Sequence, residues 1–339
     1  MYTFHIMDIN TRPTTPLKWG LISTARINRA LIKPLRASER NELAAIASRS
    51  QDTAEQYAAE REIPRAFGSY QSMLDDPGID VVYNSLPNSL HTEWTVKALQ
   101  AGKHVLCEKP LAITLEEVDA MQYAAQSTGR YLTEAFMYRH HPQTLRVKQM
   151  VDEGVIGKVR LIKGEFTYNI RSESDVRLNP GLGGGSIWDV GCYPISYTRF
   201  ILGSEPEEVF GWQVTGKSGI DEVFSGQMRF PGEVLAQFDS GFRSPYRSRI
   251  EIVGSDGVLL IPHPFNPGLE VDILIWRGDE HEVIKMPDQE LYLGEVEDIA
   301  DAILMGVPPR ISLEDSRGNV NTILALLHSA QSGKPESLP

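Results

Sequence analysis

Cysteine is nearly absent from this chain: Cys107 and Cys192 are the only two in 339 residues. Their separation matches no metal-ligand spacing, and two thiols cannot staple so long a chain. That sets aside a zinc site and a disulfide framework and makes a reducing cytoplasm the expected compartment. Long apolar runs are missing as well. No stretch of 18 apolar residues occurs, and Met1 to Gly20 holds neither a basic segment leading into an apolar one nor a twin arginine. A membrane span and export by those signals are therefore not expected. Positive charge is in deficit: 33 Lys and Arg face 45 Asp and Glu, the formal net charge is −12, and no basic run interrupts the balance. Nucleic acid and anionic membrane are thereby excluded as expected partners. There is no H-E-x-x-H, and the adjacent His140 and His141 beside Arg139 cannot form a ligand set alone, so no metal is assigned.

What is present is globular in composition, 41% hydrophobic and 23% charged, which sets disorder aside. The length exceeds what one core usually serves, so two domains are expected. Residues 1–16, with Pro13 and Pro16 and little to bury, read as an N-terminal arm, either mobile or wrapped on a partner. Residues 17–138 alternate short apolar runs with helical stretches: Leu17 to Thr24, Ile27 to Ala37, Glu42 to Ser48, Gln51 to Arg61, Val81 to Ser85, Leu90 to Ala101, His104 to Cys107, Leu115 to Ser127 and Tyr131 to Ala135. This rhythm predicts a doubly wound parallel sheet that binds a dinucleotide, an α/β fold. Residues 139–309 change texture. After a helix from Gln143 to Glu153 come long strand-like runs at Lys158 to Tyr168, Glu207 to Thr215, Val223 to Phe230, Leu235 to Phe242 and Arg249 to Ser255. Turns at Pro231-Gly232 and Ser255-Asp256-Gly257 separate them, as hairpins require. They predict a large open, mostly antiparallel sheet in a substrate-binding and oligomerisation domain, followed by a helix near Gly294 to Met305. Residues 310–339 predict a last helix, Leu313 to Ser329, packing back on the first domain.

The first strand leads into Ser23-Thr24-Ala25-Arg26-Ile27-Asn28, where Ser23, Ala25 and Asn28 hold the small-residue positions of a degenerate G-x-G-x-x-G. Small residues there let the backbone approach a pyrophosphate at a helix N-terminus, so Ser23 to Ile27 are candidate cofactor contacts. The second strand ends in Ser48-Arg49-Ser50, where an NAD enzyme would carry an acid for the ribose hydroxyl. A guanidinium flanked by hydroxyls suits the 2′-phosphate of NADP instead. Ser85, Leu86, Pro87 and Asn88 follow a strand at the crevice end of the sheet, with His91 opening the next helix, and are further candidates for the cofactor.

Two segments carry a resemblance. Cys107-Glu108-Lys109-Pro110-Leu111 and Gly183-Gly184-Gly185-Ser186-Ile187-Trp188-Asp189-Val190-Gly191-Cys192-Tyr193-Pro194 resemble the two signature motifs of the glucose-fructose oxidoreductase and inositol dehydrogenase family, Gfo/Idh/MocA. The likeness runs from about Leu17 to Ser332, and its wording is most similar to the NADP-dependent xylose dehydrogenase branch. The resemblance implies a Rossmann domain, a second domain whose open sheet joins a homodimer or homotetramer, and reversible hydride transfer between a nicotinamide and a sugar, cyclitol or related alcohol. It implies Lys109, followed by a cis Pro110, Asp189 and Tyr193 as catalytic residues, with Tyr where many members have His. Glu108, Lys109 and Arg177 are candidates on the cofactor side. Lys109, Asp189, Tyr193, Tyr168 and Trp188 are candidates for the sugar, the last two as stacking surfaces that are otherwise core aromatics.

Physical chemistry supports the trio. Oxidising an alcohol needs a base for its proton, and a phenol with a pKa of about 10 serves only if its anion is favoured. An ammonium at Lys109 near Tyr193 is expected to lower that pKa and stabilise a developing alkoxide, with Asp189 orienting the lysine or holding a hydroxyl. Asp189 and Tyr193, four apart, share a face if their segment is helical. The expected reaction is oxidation of a pyranose aldose such as xylose or glucose at its anomeric carbon to a lactone, with NADP. The alternatives are a keto-sugar reductase, a trans-dihydrodiol dehydrogenase, an oxidoreductase shuttling tightly held NADP between sugars, and an NADP-binding regulatory protein.

Overall fold

The computed structural model describes residues 15–267 and 272–338. Most of the expected arm, residues 1–14, lies outside the described residues.

The first sheet contains β1 (Leu17–Ile22), β2 (Asn41–Ala47), β3 (Arg65–Phe67), β4 (Val81–Asn84), β5 (His104–Glu108) and β6 (Leu132–Ala135). It is parallel throughout, in the order β3-β2-β1-β4-β5-β6. Helices α1 (Asn28–Ala37), α2 (Gln51–Arg61), α3 (Tyr70–Leu74), α4 (His91–Gln100) and α5 (Leu115–Thr128) make the crossovers. Strand order reverses between β1 and β4, which opens a crevice at their carboxyl ends. Trp19, Leu21 and Ile22 of β1 are fully buried because both faces of the sheet are covered. Gly20 lies among them close to α3, where a Cβ would come within 2.7 Å of Met73 Sδ. The helices start and stop where local chemistry directs. Ser50 and Thr114 accept from the backbone N–H groups of Thr53 and Glu117, and Gly129 closes α5 in the left-handed region at φ 64°. The short β3 and α3 are not foreshadowed in the sequence, because a three-residue strand carries no periodicity.

The second half contributes α6 (Pro142–Asp152), β7 (Val159–Asn169), α7 (Cys192–Leu202), β8 (Glu208–Thr215), β9 (Asp221–Phe230), β10 (Val234–Gly241), β11 (Arg243–Gly254), β12 (Val258–Pro262), β13 (Asp272–Arg277), β14 (Glu280–Lys285), α8 (Leu293–Met305), α9 (Leu313–Ser332) and β15 (Glu336–Ser337). Among the described residues these strands form one nine-stranded sheet, β14-β13-β12-β11-β7-β10-β9-β8-β15, antiparallel except where β10 runs parallel to β7. Alternation along β9, β10 and β11 buries Phe224, Met228, Phe238, Ile250 and Ile252 on one face, against α7 and α9. The opposite face is open and exposes Trp212, Val214 and Leu235. β12 to β14 extend the sheet past the runs legible in the sequence. The two halves are tied together late in the chain. α9 lies on β8 and reaches α5 through Arg317 Nε and Asp119 Oδ1 at 2.7 Å, and Thr133 Oγ1 donates to Ile311 O at 3.1 Å. α8, within the 139–309 span, lies on α1, with Val296, Ile299 and Ala300 in the cluster that contains Trp19 and Leu21.

Candidate active site

β5 delivers Glu108 and Lys109 to the crevice, and the next peptide, Lys109–Pro110, is cis. Backbone and side-chain grips fix this corner. The Lys109 N–H donates to Glu108 Oε2 at 3.2 Å, and the Leu111 N–H donates to Glu134 Oε1 at 2.8 Å. His91 Nδ1 lies 2.9 Å from the Pro110 carbonyl oxygen and its Nε2 2.8 Å from that of Leu86.

The glycine run arrives from the other domain. Asn88 Nδ2 donates to the Gly183 carbonyl at 2.9 Å, and Gly185, at φ 136°, approaches Asp221 so closely that a Cβ would lie 2.3 Å from its Oδ1. Asp221 Oδ2 in turn accepts from Ser186 Oγ at 2.7 Å and from the Ile187 N–H at 2.8 Å. The segment that follows, Ile187–Gly191, is one π-helical turn that feeds α7. The expected shared helical face is thus a wider turn, a form frequent at functional sites. Lys109 nonetheless reaches both residues. Its Nζ donates to Asp189 O at 2.7 Å and Oδ1 at 3.1 Å, and stands 5.0 Å from the centroid of the Tyr193 ring. The other Asp189 oxygen accepts from Tyr168 OH at 2.6 Å and from Arg177 Nε at 3.1 Å.

Charge at the site is settled by these contacts. Burial acts to raise the Asp189 pKa, but Lys109, Arg177 and the Tyr168 hydroxyl outweigh it and hold the carboxyl down to about 2. Burial likewise works against the Lys109 ammonium, and Asp189 overcomes it, so the lysine pKa is raised. Tyr193 differs from expectation. Burial pushes its phenol well above the ordinary value, the ammonium lies over the ring face rather than at the oxygen, and the hydroxyl is directed to Met137 Sδ at 3.8 Å. The surrounding Phe136, Phe166 and Phe265 rings, each with its centroid 5.3 Å from that of Tyr193, account for the desolvation. A charged lysine beside a protonated, apolar-walled tyrosine can donate a proton to an oxygen placed between them, and the paired carboxylate fixes the lysine's aim.

The crevice suits a dinucleotide. Ser23 to Ile27 are at least partly exposed between buried Ile22 and Asn28, and Ser23 takes φ 77°. Helix α1 opens beside them with no side-chain cap and no acid in its first turn, so its N-terminal donors suit a phosphate. Asn28, Ser23 and Ser85 knit the turn: Asn28 Nδ2 donates to Ser23 O at 2.6 Å and Ser85 Oγ to Asn28 Oδ1 at 2.6 Å. Arg49 is exposed at the end of β2, with Ser48 buried beside it and Ser50 capping α2.

Several sequence candidates sit elsewhere than expected. His91 is fully buried with both nitrogens engaged, so it grips the loop rather than a ligand. Glu108 is buried and accepts from Tyr83 OH, beneath the site. Trp188 is 7% exposed and packs in the same core cluster as Tyr193, and Tyr168 spends its hydroxyl on Asp189. Arg139, His140 and His141 are buried; Arg139 pairs with Asp315 at 2.8 Å, and burial lowers the His140 pKa to about 3. Asp221 and Glu134, which hold the two motif segments, carried no signal in the sequence, because their partners, the Ser186 hydroxyl and the N–H groups of Ile187 and Leu111, lie more than twenty residues away along the chain. Among the described residues, no group of His, Cys, Asp or Glu could hold a metal ion, and no helix is long and apolar enough to cross a membrane.

Comparison with known proteins matches residues 17–136 to an oxidoreductase family with an NAD-binding Rossmann fold, and residues 144–260 to the GFO/IDH/MocA C-terminal domain. An NADP-dependent D-xylose 1-dehydrogenase of Haloferax volcanii is 36% identical over 326 residues, covering 94% of this chain and 98% of that one. A 3-ketoreductase from Actinomadura kijaniata, solved with NADP and TDP-benzene, superimposes with a TM-score of 0.88 at 32% identity over 93% of this chain and 98% of its own. An aldose-aldose oxidoreductase from Caulobacter crescentus, solved with glycerol, gives a TM-score of 0.88 at 26% identity over 96% and 100% of the two chains.

Proposed function

From a chain that belongs to the GFO/IDH/MocA oxidoreductases, we propose an NADP-dependent enzyme that moves hydride between the nicotinamide and a pyranose sugar, oxidising an aldose such as xylose or glucose at its anomeric carbon to the lactone. The observation that carries this reading is the Lys109 ammonium bridging Asp189 and the Tyr193 ring at the mouth of the dinucleotide crevice. The xylose dehydrogenase relative supports the sugar class.

The turn Ser23 to Ile27 would hold the pyrophosphate at the start of α1, Arg49 with Ser48 and Ser50 the 2′-phosphate, and Ser85 to Asn88 the ribose beside the nicotinamide. Bound NADP supplies the ring that takes or gives the hydride. Lys109 orients the reacting sugar oxygen and stabilises negative charge on it as the carbon changes hybridisation. Tyr193 Oη exchanges the proton with that oxygen, and Asp189 keeps Lys109 charged and aimed. Arg177, tied to Asp189 and Asp175 by 3.1 and 3.2 Å contacts, closes the outer side of the carboxylate. A second copy of the chain would cover the open sheet face that exposes Trp212, Val214 and Leu235.

A second reading, reduction of a keto-sugar, is favoured by one observation: the buried Tyr193 hydroxyl is held protonated, which suits an acid better than a base. Initial rates with NADP and aldoses, and with NADPH and keto-sugars, separate the two. Aldose turnover establishes the first, turnover of keto-sugars alone the second, and absence of both with NADP bound removes the enzymatic reading.

A further inference from the structure

Resting on the sugar-oxidoreductase reading above, we propose that Tyr246 and His263 form a second binding subsite beside Tyr193, which takes an uncharged ring linked to the sugar that reacts. Tyr246, on β11, is 50% exposed, and its ring stacks on that of His263 with centroids 6.1 Å apart and planes 19° apart. The same tyrosine meets Phe166 edge-on at 6.2 Å, and Phe166 meets Tyr193 edge-on at 5.3 Å. The pair therefore lies on the sheet face of the active site, one ring beyond the proton-transferring phenol. That spacing matches a second ring joined to the one that reacts.

The backbone holds this pair at a cost. His263 adopts φ 55°, in the left-handed region, although it is no glycine and precedes Pro264, which favours extended backbone. Its N–H donates to Ser248 O at 3.0 Å, which fixes the ring beside Tyr246. His263 is exposed, so core packing does not require the conformation. Strained backbone of this kind clusters at binding sites as well as at turns. Flat aromatic faces half open to solvent bury the CH-bearing face of another ring well. Charge selects the class of ring. Arg247 and Arg249 alternate with Tyr246 along β11 and meet Asp239 at 2.8 Å and Glu165 at 3.3 Å on the opposite, open side of the sheet, and Arg243 meets Glu222. The strand thus brings no guanidinium to the ring pair for a phosphate, so the second ring is a neutral glycosyl group rather than a nucleotide.

The test compares kcat/KM for glucose and cellobiose with NADP, and calorimetric binding of thymidine diphosphate glucose, whose anomeric oxygen is blocked, in the full-length wild type and in Tyr246→Ala and Tyr246→Trp. The expected result is a cellobiose-to-glucose ratio that falls about tenfold in Tyr246→Ala and returns in Tyr246→Trp. A ratio unmoved by Tyr246→Ala while glucose is turned over overturns the subsite and leaves the proposed reaction standing. Calorimetric titration with cellobiose gives the same comparison without turnover. Binding that weakens in Tyr246→Ala, with no sugar oxidised, keeps the subsite and removes the reaction. Tighter binding of the nucleotide sugar than of cellobiose that disappears in Tyr246→Ala overturns the neutral ring, and failure to bind any of the three overturns the subsite.

Discussion

Replacing Asp189 with Asn tests whether one carboxylate organises the site. In the wild type its two oxygens accept from Lys109 at 3.1 Å, Arg177 at 3.1 Å and Tyr168 at 2.6 Å. The amide keeps one acceptor and turns two donors on this ring of donors, so either the buried Lys109 or the half-exposed Arg177 loses its contact with the carboxylate. The charged form of Asp189 is favoured by the drop from 3.8 to about 2, a net value of about 2 to 3 kcal/mol at neutral pH. Removing one partner of a buried pair costs about 3 to 5 kcal/mol. Asp189→Asn should therefore unfold in urea about 2 to 4 kcal/mol more easily at pH 7. Because the folded pKa is depressed, this contribution is present above the ordinary carboxyl pKa and fades as pH falls toward about 2; roughly half of the charge part is left at pH 3. Turnover should fall by about a hundredfold, because Lys109 loses both its aim and its proton at lower pH. A variant as stable as wild type at pH 7, or a stability gap that stays constant down to pH 3, would refute the reasoning.

Tyr193→Phe should lower kcat about a hundredfold or more with NADP affinity retained; near-normal turnover would remove the proton-transfer role. In the wild type the raised phenol pKa sets the pH dependence. Reduction, which needs the protonated form, should stay level through neutrality into alkaline pH, while oxidation should rise with pH over the same range; an oxidation rate that levels off below pH 8 contradicts this. Arg49→Ala should weaken NADP by about ten- to a hundredfold and NAD hardly at all, as measured by fluorescence titration; equal losses would show that Arg49 does not meet the 2′-phosphate. Sedimentation at micromolar concentration should find a dimer or tetramer that Trp212→Glu dissociates, and a monomeric wild type would leave the open sheet face without its second copy.

The parallel half of the fold was legible because β1, β4 and β5 are mostly apolar and each is followed by a helix. The site trio was legible because its residues fall in two short segments. β3 and β12 to β14 escaped: they pair with their neighbours in sequence but are too short to show a period. The π turn at Ile187–Gly191 arises where Asp221, more than thirty residues on, captures the Ser186 hydroxyl and the Ile187 N–H. The Tyr193 pKa ran opposite to expectation because proximity to Lys109 was read as contact with the phenol oxygen. The aromatic walls that put the cation over the ring come from three separate elements. His91 looked like a ligand contact because it opens a helix at the crevice, and only its burial shows otherwise.

That burial has a functional consequence. Glu108 to Leu111 is gripped at three successive residues: the Lys109 N–H by Glu108, the Pro110 carbonyl by His91, and the Leu111 N–H by Glu134. His91 also faces the Leu86 carbonyl, so one imidazole couples the loop beside the cofactor to the corner that carries Lys109. Burial lowers its pKa, and a neutral ring has a single N–H to offer two carbonyls. The ring thus donates to one of the two carbonyls and only packs its other nitrogen against the second, and a side-chain amide in its place could still donate to one of them. His91→Ala should release the corner and cut kcat about ten- to a hundredfold, because small misplacements of an oriented group cost that much. KM for NADP should change far less, and His91→Gln should recover a large part of kcat. If alanine and glutamine depress kcat and NADP affinity equally, His91 supports the fold at large and not the position of Lys109.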